Sequence, residues 1–253
     1  MDMISDTVYF IWSMKRSGAH GFEQWLFPNI NGRYLFFNNK KVSNPSSGSP
    51  ANFCDSFNGR QERWDSLVFG FEDYEFPICE GGIRSTEDVI ESITGKNRVG
   101  NVINVIVLRD PLNLISSRMK TREKDKRMDV DESTVSLWVN NAMEFLGETS
   151  FLSNKMAVNF NTWFSDEGYR KRLAESFCLE FNDSGKNKVG MKGSSFDGKA
   201  YKGRASQMDV LCRWRDYQDN DEFVRLVSDD RVMELSSKIY GDSYVEIIER
   251  LKK

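Results

Sequence analysis

The first residues that could do chemistry form a short basic segment directly after an apolar run. The run Val8–Met14 (VYFIWSM) predicts a buried strand, and the segment that follows it is Lys15-Arg16-Ser17-Gly18-Ala19-His20-Gly21. A loop that leaves a strand and enters a helix presents backbone N–H groups and the positive end of the helix dipole to an anion. Its two glycines let the backbone approach a ligand closely, and its serine and basic residues add further donors. The segment therefore predicts a binding site for a phosphorylated nucleotide.

This first loop differs from the ATP-binding P-loop. That motif, G-x-x-x-x-G-K-S/T, places a lysine and a hydroxyl after its last glycine to hold phosphates and magnesium. Here Gly21 is followed by Phe22 and Glu23, and a carboxylate at that place would repel a triphosphate. An alternative remains open at this point: the segment could be a tight strand-to-helix turn on which Lys15 and Arg16 are solvated.

A second candidate site follows the most apolar run of the chain. Val102–Leu108 predicts a strand, and Arg109-Asp110-Pro111 comes directly after it. Asp110 and Pro111 are typical of a helix start, and Ser117 follows Arg109 by eight residues, about two turns into that helix. A planar guanidinium at a strand end can grip a phosphate through two parallel hydrogen bonds, and a serine hydroxyl can complete the coordination.

The elements that must position these residues alternate between strand and helix. Further strands are predicted at Leu67–Phe71, Tyr34–Phe37 and Met156–Phe160, and apolar residues at helical spacing predict a helix from Ser133 to Gly147. Alternation of this kind predicts an α/β fold, with a central parallel sheet flanked by helices on both faces. The sequence contains no clear domain boundary, so we expect one domain over residues 1–253.

Together the two loops resemble the PAPS-dependent sulfotransferases. That family has a 5′-phosphosulfate loop of the type K/R-S-G-T-T after its first strand, and a 3′-phosphate motif R-D/N-P-x-x-x-x-x-S after a later strand. This chain has Arg16-Ser17-Gly18-Ala19-His20 and Arg109-Asp110-Pro111 with Ser117 at the matching offset. The resemblance implies the P-loop-like sulfotransferase fold, in a divergent member of bacterial or viral type. It also implies PAPS as the cofactor, PAP as its product and no metal.

The resemblance assigns roles to individual residues. Binding of PAPS would fall to the first loop from Lys15 to Gly21, to Arg109 and Ser117, and to an approximate counterpart of the family's Gly- and Lys-rich segment at Lys192, Gly193 and Arg204. Arg16, with Lys15 beside it, would stabilise charge on the leaving phosphate. Ala19 and His20 replace the usual hydroxyl pair, so His20 would bind or position the phosphosulfate, or act as an acid or base.

The acceptor of the sulfuryl group needs a general base, and family members use a histidine or a glutamate. The best candidate in this sequence is Glu72, directly after the strand that ends at Phe71, with Asp73 as its neighbouring alternative. Glu72 and Asp73 could instead simply end that strand in solvent. The expected function is transfer of a sulfuryl group from PAPS to a hydroxyl or amine of a small-molecule or glycan acceptor. The alternatives are a non-catalytic protein of the same fold that binds PAP or PAPS and, with less support, a P-loop kinase.

Composition excludes several other classes of protein. A net charge of -3 and a pI near 5.5 disfavour a nucleic-acid partner or a membrane-surface binder, and no apolar run is long enough to span a bilayer. The N-terminus lacks the basic region of a signal peptide, so we expect a cytoplasmic protein with reduced thiols. Four dispersed cysteines and one histidine make a zinc site improbable.

Three polar stretches interrupt the pattern of strands and helices. Residues 38–59 predict a loop insertion, residues 182–204 a loop-rich segment, and residues 120–129 (KTREKDKRMD) a solvated helix end or mobile loop. By analogy with the variable loops of the family, the first and third are expected to border the acceptor pocket. Neither is rich enough in aromatic residues to identify a sugar, a phenol or a protein tyrosine as the acceptor.

Overall fold

A five-stranded, all-parallel sheet forms the centre of the protein. The computed structural model describes residues 3–38, 64–74, 98–189, 194 and 196–253. The strands lie in the order β2-β3-β1-β4-β5, with β1 in the middle. Their bounds are Met3–Ser13 for β1, Tyr34–Asn38 for β2, Trp64–Glu72 for β3, Arg98–Leu108 for β4 and Lys155–Asn159 for β5. The predicted α/β fold with a parallel sheet is confirmed.

The sheet is buried on both faces because its central strands are apolar without alternation. In β1, Tyr9 and Ile11 belong to the cluster on one face, whereas Phe10 and Trp12 belong to the cluster on the other. The same division holds in β4, where Val105 faces the first cluster. Strands that are covered on both sides appear in the sequence as continuous apolar runs, which is why β1, β3 and β4 could be recognised in this way.

Helices cover the two faces, and in the described part of the chain helices follow β1, β4 and β5. Within the described residues they are α1 (Ala19–Leu26), α2 (Pro111–Arg122), α3 (Glu132–Leu146), α4 (Phe160–Ser165), α5 (Glu167–Ser176), α6 (Asp221–Val227), α7 (Asp230–Tyr240) and α8 (Asp242–Leu251). Helix α2 starts as predicted, because the Asp110 carboxylate accepts a hydrogen bond from the backbone N–H of Asn113 at 2.8 Å and Pro111 occupies its first position. Helix α3 ends at Gly147, in the left-handed conformation that favours glycine.

The strand starts were predicted too late, since β1 begins at Met3 rather than at Val8 and β4 at Arg98 rather than at Val102, whereas the strand ends shift by about one residue. β5 ends at Asn159 rather than at Phe160, because the Asn159 side chain accepts a hydrogen bond from the backbone N–H of Thr162 and so caps α4. Similarly, β1 ends at Ser13, and Met14 begins the loop. The Asn159 cap decides the end of β5, and a hydrophobic pattern alone does not reveal such a cap.

The predicted polar stretches have different outcomes. Of residues 38–59, only Asn38 lies within the described part of the chain. Residues 120–129 form the last turn of α2 and the turn after it. The Lys120 ammonium lies 2.8 Å from the Glu123 carboxylate, and the Arg122 guanidinium pairs with Glu222, so much of this charge is paired at a solvated helix end. Residues 183–187 form a 3₁₀ helix in the predicted loop-rich segment.

One polar side chain interrupts the apolar core strand β4, and it is fully paired. Asn104 is completely buried between the strand and the segment before β5. Its Oδ1 accepts from the Trp12 indole N–H at 2.9 Å, and its Nδ2 donates to the Ser153 carbonyl at 2.7 Å. Because buried polar groups are tolerated only when they are hydrogen-bonded, this amide holds β1 and the segment that precedes β5 against β4.

We therefore expect Asn104→Leu to lower the free energy of unfolding by roughly 2–4 kcal/mol, since it leaves a buried indole N–H and a carbonyl without partners. Asn101→Ala, at an exposed position of the same strand, serves as control and should change it by about 0.5 kcal/mol or less. Urea denaturation followed by circular dichroism measures both. Equal effects of the two substitutions would contradict the role assigned to Asn104.

Candidate functional site

The carboxyl ends of the parallel strands meet at one edge of the sheet, where doubly wound folds bind their ligands. Ser13, the last residue of β1, lies beside Glu72 in β3 and beside Val107 in β4. The first loop, which begins at Met14, and Arg109, which follows β4, therefore start from neighbouring strands. This register explains why residues distant in sequence form one candidate active site.

The first loop is a compact turn shaped by two left-handed residues. The Ser17 N–H donates to the Met14 carbonyl at 3.0 Å, and Arg16 and Gly18 have φ angles of 73° and 88°. Gly18 stands directly before α1, and a Cβ on it would lie 2.2 Å from Cε2 of Phe160. Only glycine fits there, because both the backbone angle and the close contact with α4 exclude a side chain.

Arg109 joins the two predicted loops. Its Nη1 donates to the Arg16 carbonyl at 3.0 Å and to the Ser117 hydroxyl at 3.1 Å, and its Nη2 donates to the Val210 carbonyl. The guanidinium is buried and lies over the Phe160 ring, 5.4 Å from its centroid. Its hydrogen-bond partners within the described residues are neutral oxygens. Burial lowers the pKa of Arg109 to about 9, so the side chain is a buried cation at neutral pH.

A carboxylate fixes the other side of the first loop. The Asp73 Oδ1 atom accepts from the Lys15 backbone N–H at 2.9 Å and also from Arg118, and its Oδ2 lies 3.3 Å from the Lys15 ammonium. Arg118 donates from Nε to the Lys15 carbonyl at 3.3 Å. Asp73 was considered from the sequence only as an alternative base. In the structure its carboxylate holds the loop and an arginine in place, and a role as base stays an untested alternative.

Several donors around the first loop are buried without a partner among the described residues. They are Nε of Arg16, Oγ of Ser17 and Nε of Arg109. Burial, together with the positive charge of Arg213, lowers the pKa of Arg16, and burial lowers that of Arg213 as well. The positive charges of Arg16 and Arg213 repel each other, and the donors beside them lack acceptors. A bound anion would relieve both of these unfavourable effects. These residues fit a phosphate or sulfate group.

His20 connects the first loop to the end of β3. Its Nδ1 lies 2.8 Å from Oε2 of Glu23, and its Nε2 lies 3.8 Å from Oε1 of Glu72. The hydrogen bond to Glu23 raises the pKa of His20, and burial opposes it. Burial raises the pKa of Glu72 above its ordinary value of 4.5. The two groups named from the sequence as acid or base are thus adjacent, and both have perturbed pKa values, as is common at functional sites.

The remaining predicted residues fall in two groups. Ala19 and Gly21 lie in the first turn of α1, and Gly21 faces the Trp163 ring. Arg204 is exposed, and its side chain makes no hydrogen bond or ion pair with another described residue. Lys192 and Gly193 lie outside the described residues. The roles assigned to all predicted site residues stay predictions.

Sequence reasoning missed three residues that shape the site: Glu23, Arg118 and Phe160. Glu23 looked only like an obstacle to a triphosphate, and Arg118 like one more helix residue. Ser117 was noticed because it lies eight residues after Arg109, as in the family motif. Arg118 is the next residue in the same helix and could have been considered with it. Nothing in the sequence pointed to Phe160, because its contact with Gly18 depends on the packing of α4 against the first loop.

Two further expectations concern metals and membranes. Among the residues that the structure describes, no group of three or more His, Cys, Asp or Glu side chains is arranged to hold a metal ion. In the same residues, no helix combines the length and the apolar character that crossing a bilayer requires.

Comparison with known proteins identifies the fold. No protein-family model matches the sequence, and no curated protein matches it either. Among solved structures, the chain is similar to mouse sulfotransferase SULT7A1 complexed with PAP, with a TM-score of 0.52 and 11% sequence identity over 99% of this chain and 90% of that chain. It also matches the sulfotransferase domain of the Synechococcus PCC 7002 olefin synthase, with a TM-score of 0.49 and 10% identity over 94% and 96% of the two chains. The protein has the sulfotransferase-like α/β fold that the sequence resemblance implied.

The packing of the first loop leads to a test with a matched control. We expect Gly18→Ala to lower the free energy of unfolding by roughly 2–4 kcal/mol, because the new methyl group meets Phe160 and the backbone angle is strained. Gly21→Ala should be neutral or raise it by up to about 1 kcal/mol, because a Cβ there makes an ordinary 3.6 Å contact with Trp163 and alanine favours the helix. Thermal and urea unfolding of both variants check this, and a Gly18→Ala protein as stable as wild type would refute the close contact.

Proposed function

We propose that the protein is a PAPS-dependent sulfotransferase that transfers a sulfuryl group from PAPS to a hydroxyl or amine of a small-molecule or glycan acceptor. The observation that carries this proposal is the buried Arg109 guanidinium. It contacts the first loop through the Arg16 carbonyl and the second motif through Ser117, and its Nε has no partner among the described residues. One cation thus links the two loops that the resemblance assigns to the two phosphate ends of a single nucleotide.

The first loop would hold the phosphosulfate end of PAPS. Its donors are the backbone N–H groups at the start of α1, the unpartnered Ser17 hydroxyl and the cations of Lys15 and Arg16. Gly18 keeps this part of the loop free of a side chain, and Ala19, His20 and Gly21 form the first turn of α1. Arg109 and Ser117 would hold the 3′-phosphate, together with Lys192, Gly193 and Arg204. PAPS supplies the activated sulfuryl group when bound and leaves as PAP.

Charge and proton transfer divide between the two sides of the site. Arg16, with Lys15 beside it, places positive charge where negative charge develops on the leaving phosphate oxygen. Glu72 is the proposed general base for the acceptor, and its raised pKa brings it closer to the range in which a base works at neutral pH. His20 lies between these groups, where it can bind the phosphosulfate end or exchange a proton with Glu72.

A second candidate function is a non-catalytic protein of this fold that binds PAP or PAPS. The observation that favours it is the first turn of α1, where the methyl group of Ala19 is buried and no hydroxyl pair follows Gly18. A P-loop kinase has less support, because the position after Gly21 is filled by Phe22, whose side chain is fully buried. Ligand binding and catalysis therefore have to be tested separately.

Binding is tested by thermal shift with PAP, PAPS and Mg-ATP. PAP without magnesium, at about 100 times its dissociation constant, should stabilise the protein by about 2.7 kcal/mol and raise Tm by roughly 5–10 °C. Arg109→Lys and Ser117→Ala should lose most of this response. Arg231→Ala is the control, since Arg231 is exposed and pairs with Glu234 on the surface of α7. Stabilisation by Mg-ATP, with no response to PAP or PAPS, would contradict the proposal.

Catalysis is tested by transfer of labelled sulfate from PAPS to a panel of phenols, sugars and amines. Glu72→Gln should reduce the rate with the best acceptor by about 10²–10⁴, and Arg16→Ala should also reduce it strongly. Because the base must be ionised, the wild-type rate should fall as pH decreases through the pKa of Glu72, which lies above 4.5. That acid limb should be absent in Glu72→Gln.

Glu180→Gln provides the catalytic control, because Glu180 is exposed. Its rate and pH profile should equal those of the wild type. A Glu72→Gln enzyme that works at the wild-type rate would remove Glu72 from the reaction. Binding of PAP without transfer to any acceptor would favour the non-catalytic alternative.

A further inference from the structure

The position of His20 disfavours a charged imidazole. This residue is the one histidine of the chain, and it lies in the first turn of α1. The positive end of a helix dipole and the nearby Arg16 both oppose protonation of the ring. A histidine placed here without compensation would be neutral at physiological pH.

Two carboxylates reverse this effect. Glu23, one turn further along α1, lies 2.8 Å from Nδ1, and Glu72, at the end of β3, lies 3.8 Å from Nε2. Glu23 on α1, Glu72 on β3 and Arg16 on the first loop are the charged groups that act on the ring, and the hydrogen bond to Glu23 contributes most to the raised pKa of His20. The net effect of these groups is to raise the pKa of His20 above its ordinary value, so that the imidazolium is more stable here than it is in water.

The core is shaped to accept Glu23. Only 3% of this residue is exposed, and within the described residues the hydrogen-bond partner of its carboxylate is His20. Gly70 makes the space in β3, because a Cβ there would lie 2.8 Å from Oε1 of Glu23. A buried carboxylate is costly unless it is paired. An imidazolium at His20 supplies that pairing, and half of the His20 side chain remains exposed.

We propose that Glu23 is a positioning residue that keeps His20 protonated, so that the first loop presents a cationic imidazole to an anion bound there. The identity of that anion, the phosphosulfate end of PAPS, rests on the proposed function. The imidazolium adds a charged donor at the position where the related loops carry a hydroxyl. Burial of Glu23 fixes this charge from inside the protein, without occupying the exposed edge of the ring.

The single histidine makes the proposal directly measurable by NMR. In ¹³C- and ¹⁵N-labelled protein, one set of imidazole resonances reports on His20 throughout a pH titration. We expect a pKa above 6.5 and, below that pKa, ¹⁵N shifts typical of two protonated ring nitrogens. A wild-type value of 6.5 or below would overturn the proposal, and this measurement needs no variant.

The contribution of Glu23 is separated from general effects on stability by three variants. Glu23→Gln should lower the His20 pKa by about one pH unit or more, whereas Glu23→Asp, which keeps the charge, should retain part of the increase. Glu144→Gln removes another buried carboxylate, one that is paired with Lys155 near the opposite edge of the sheet, and should leave the His20 pKa unchanged. A Glu23→Gln protein with the wild-type His20 pKa would overturn the role of Glu23.

Titration with PAP and with inorganic phosphate tests the anion contact. Either anion, bound beside the ring, should raise the His20 pKa further, and PAP should bind less tightly as pH rises through that pKa. If PAP stabilises the protein but moves no His20 resonance, the donor role is wrong and the proposed function stands. If PAP gives no thermal shift while phosphate still raises the His20 pKa, the donor role stands and the proposed function fails.

Discussion

The candidate site depends on a buried arginine that is held by neutral oxygens. Arg109 contacts a carbonyl of the first loop, a hydroxyl of α2 and the Val210 carbonyl, and its own carbonyl accepts a hydrogen bond from the Trp138 indole at 2.9 Å. Four segments of the chain therefore meet at this residue. Removing any one partner would leave a buried cation poorly solvated, which is among the costliest defects in a protein core.

The neutrality of these partners distinguishes Arg109 from arginines that serve structure alone. Arg170, which is also buried, forms two parallel hydrogen bonds to the Asp183 carboxylate, and Arg122 pairs in the same way with Glu222. In those pairs the charge is neutralised inside the protein. At Arg109 the carbonyls and the hydroxyl orient the guanidinium, and the Asp110 carboxylate compensates its charge only through space, without a hydrogen bond to it. Arg16 and Arg213 are close enough to lower the pKa of Arg109. A cation oriented in this way is suited to bind an anionic ligand.

The sequence predicted the sheet and the two loops because both depend on short-range patterns. Apolar runs indicated β1, β3 and β4, two shorter segments indicated β2 and β5, and Asp110 with Pro111 indicated the start of α2. His20 and Glu23 are only three residues apart in the sequence. The burial of Glu23, however, depends on the space beside Gly70, which exists only once the sheet has packed against α1. Contacts such as Gly18 with Phe160 join residues more than a hundred positions apart, and no local pattern encodes them. The resemblance to a known family supplied the positions of the site, and the structure supplied the partners.

The central place of β1 in the sheet has a consequence for biosynthesis. This strand is synthesised well before β3 and β4, the neighbours with which it pairs, as the register of Ser13 with Glu72 and with Val107 shows. Long-range parallel pairing is slow, because the chain between the strands must lose entropy before the contacts form. Until residues 98–108 have been synthesised, one edge of an apolar strand remains open to association with other chains. The strand from which the first loop leaves therefore stays partly unpaired on the nascent chain until β4 has been made.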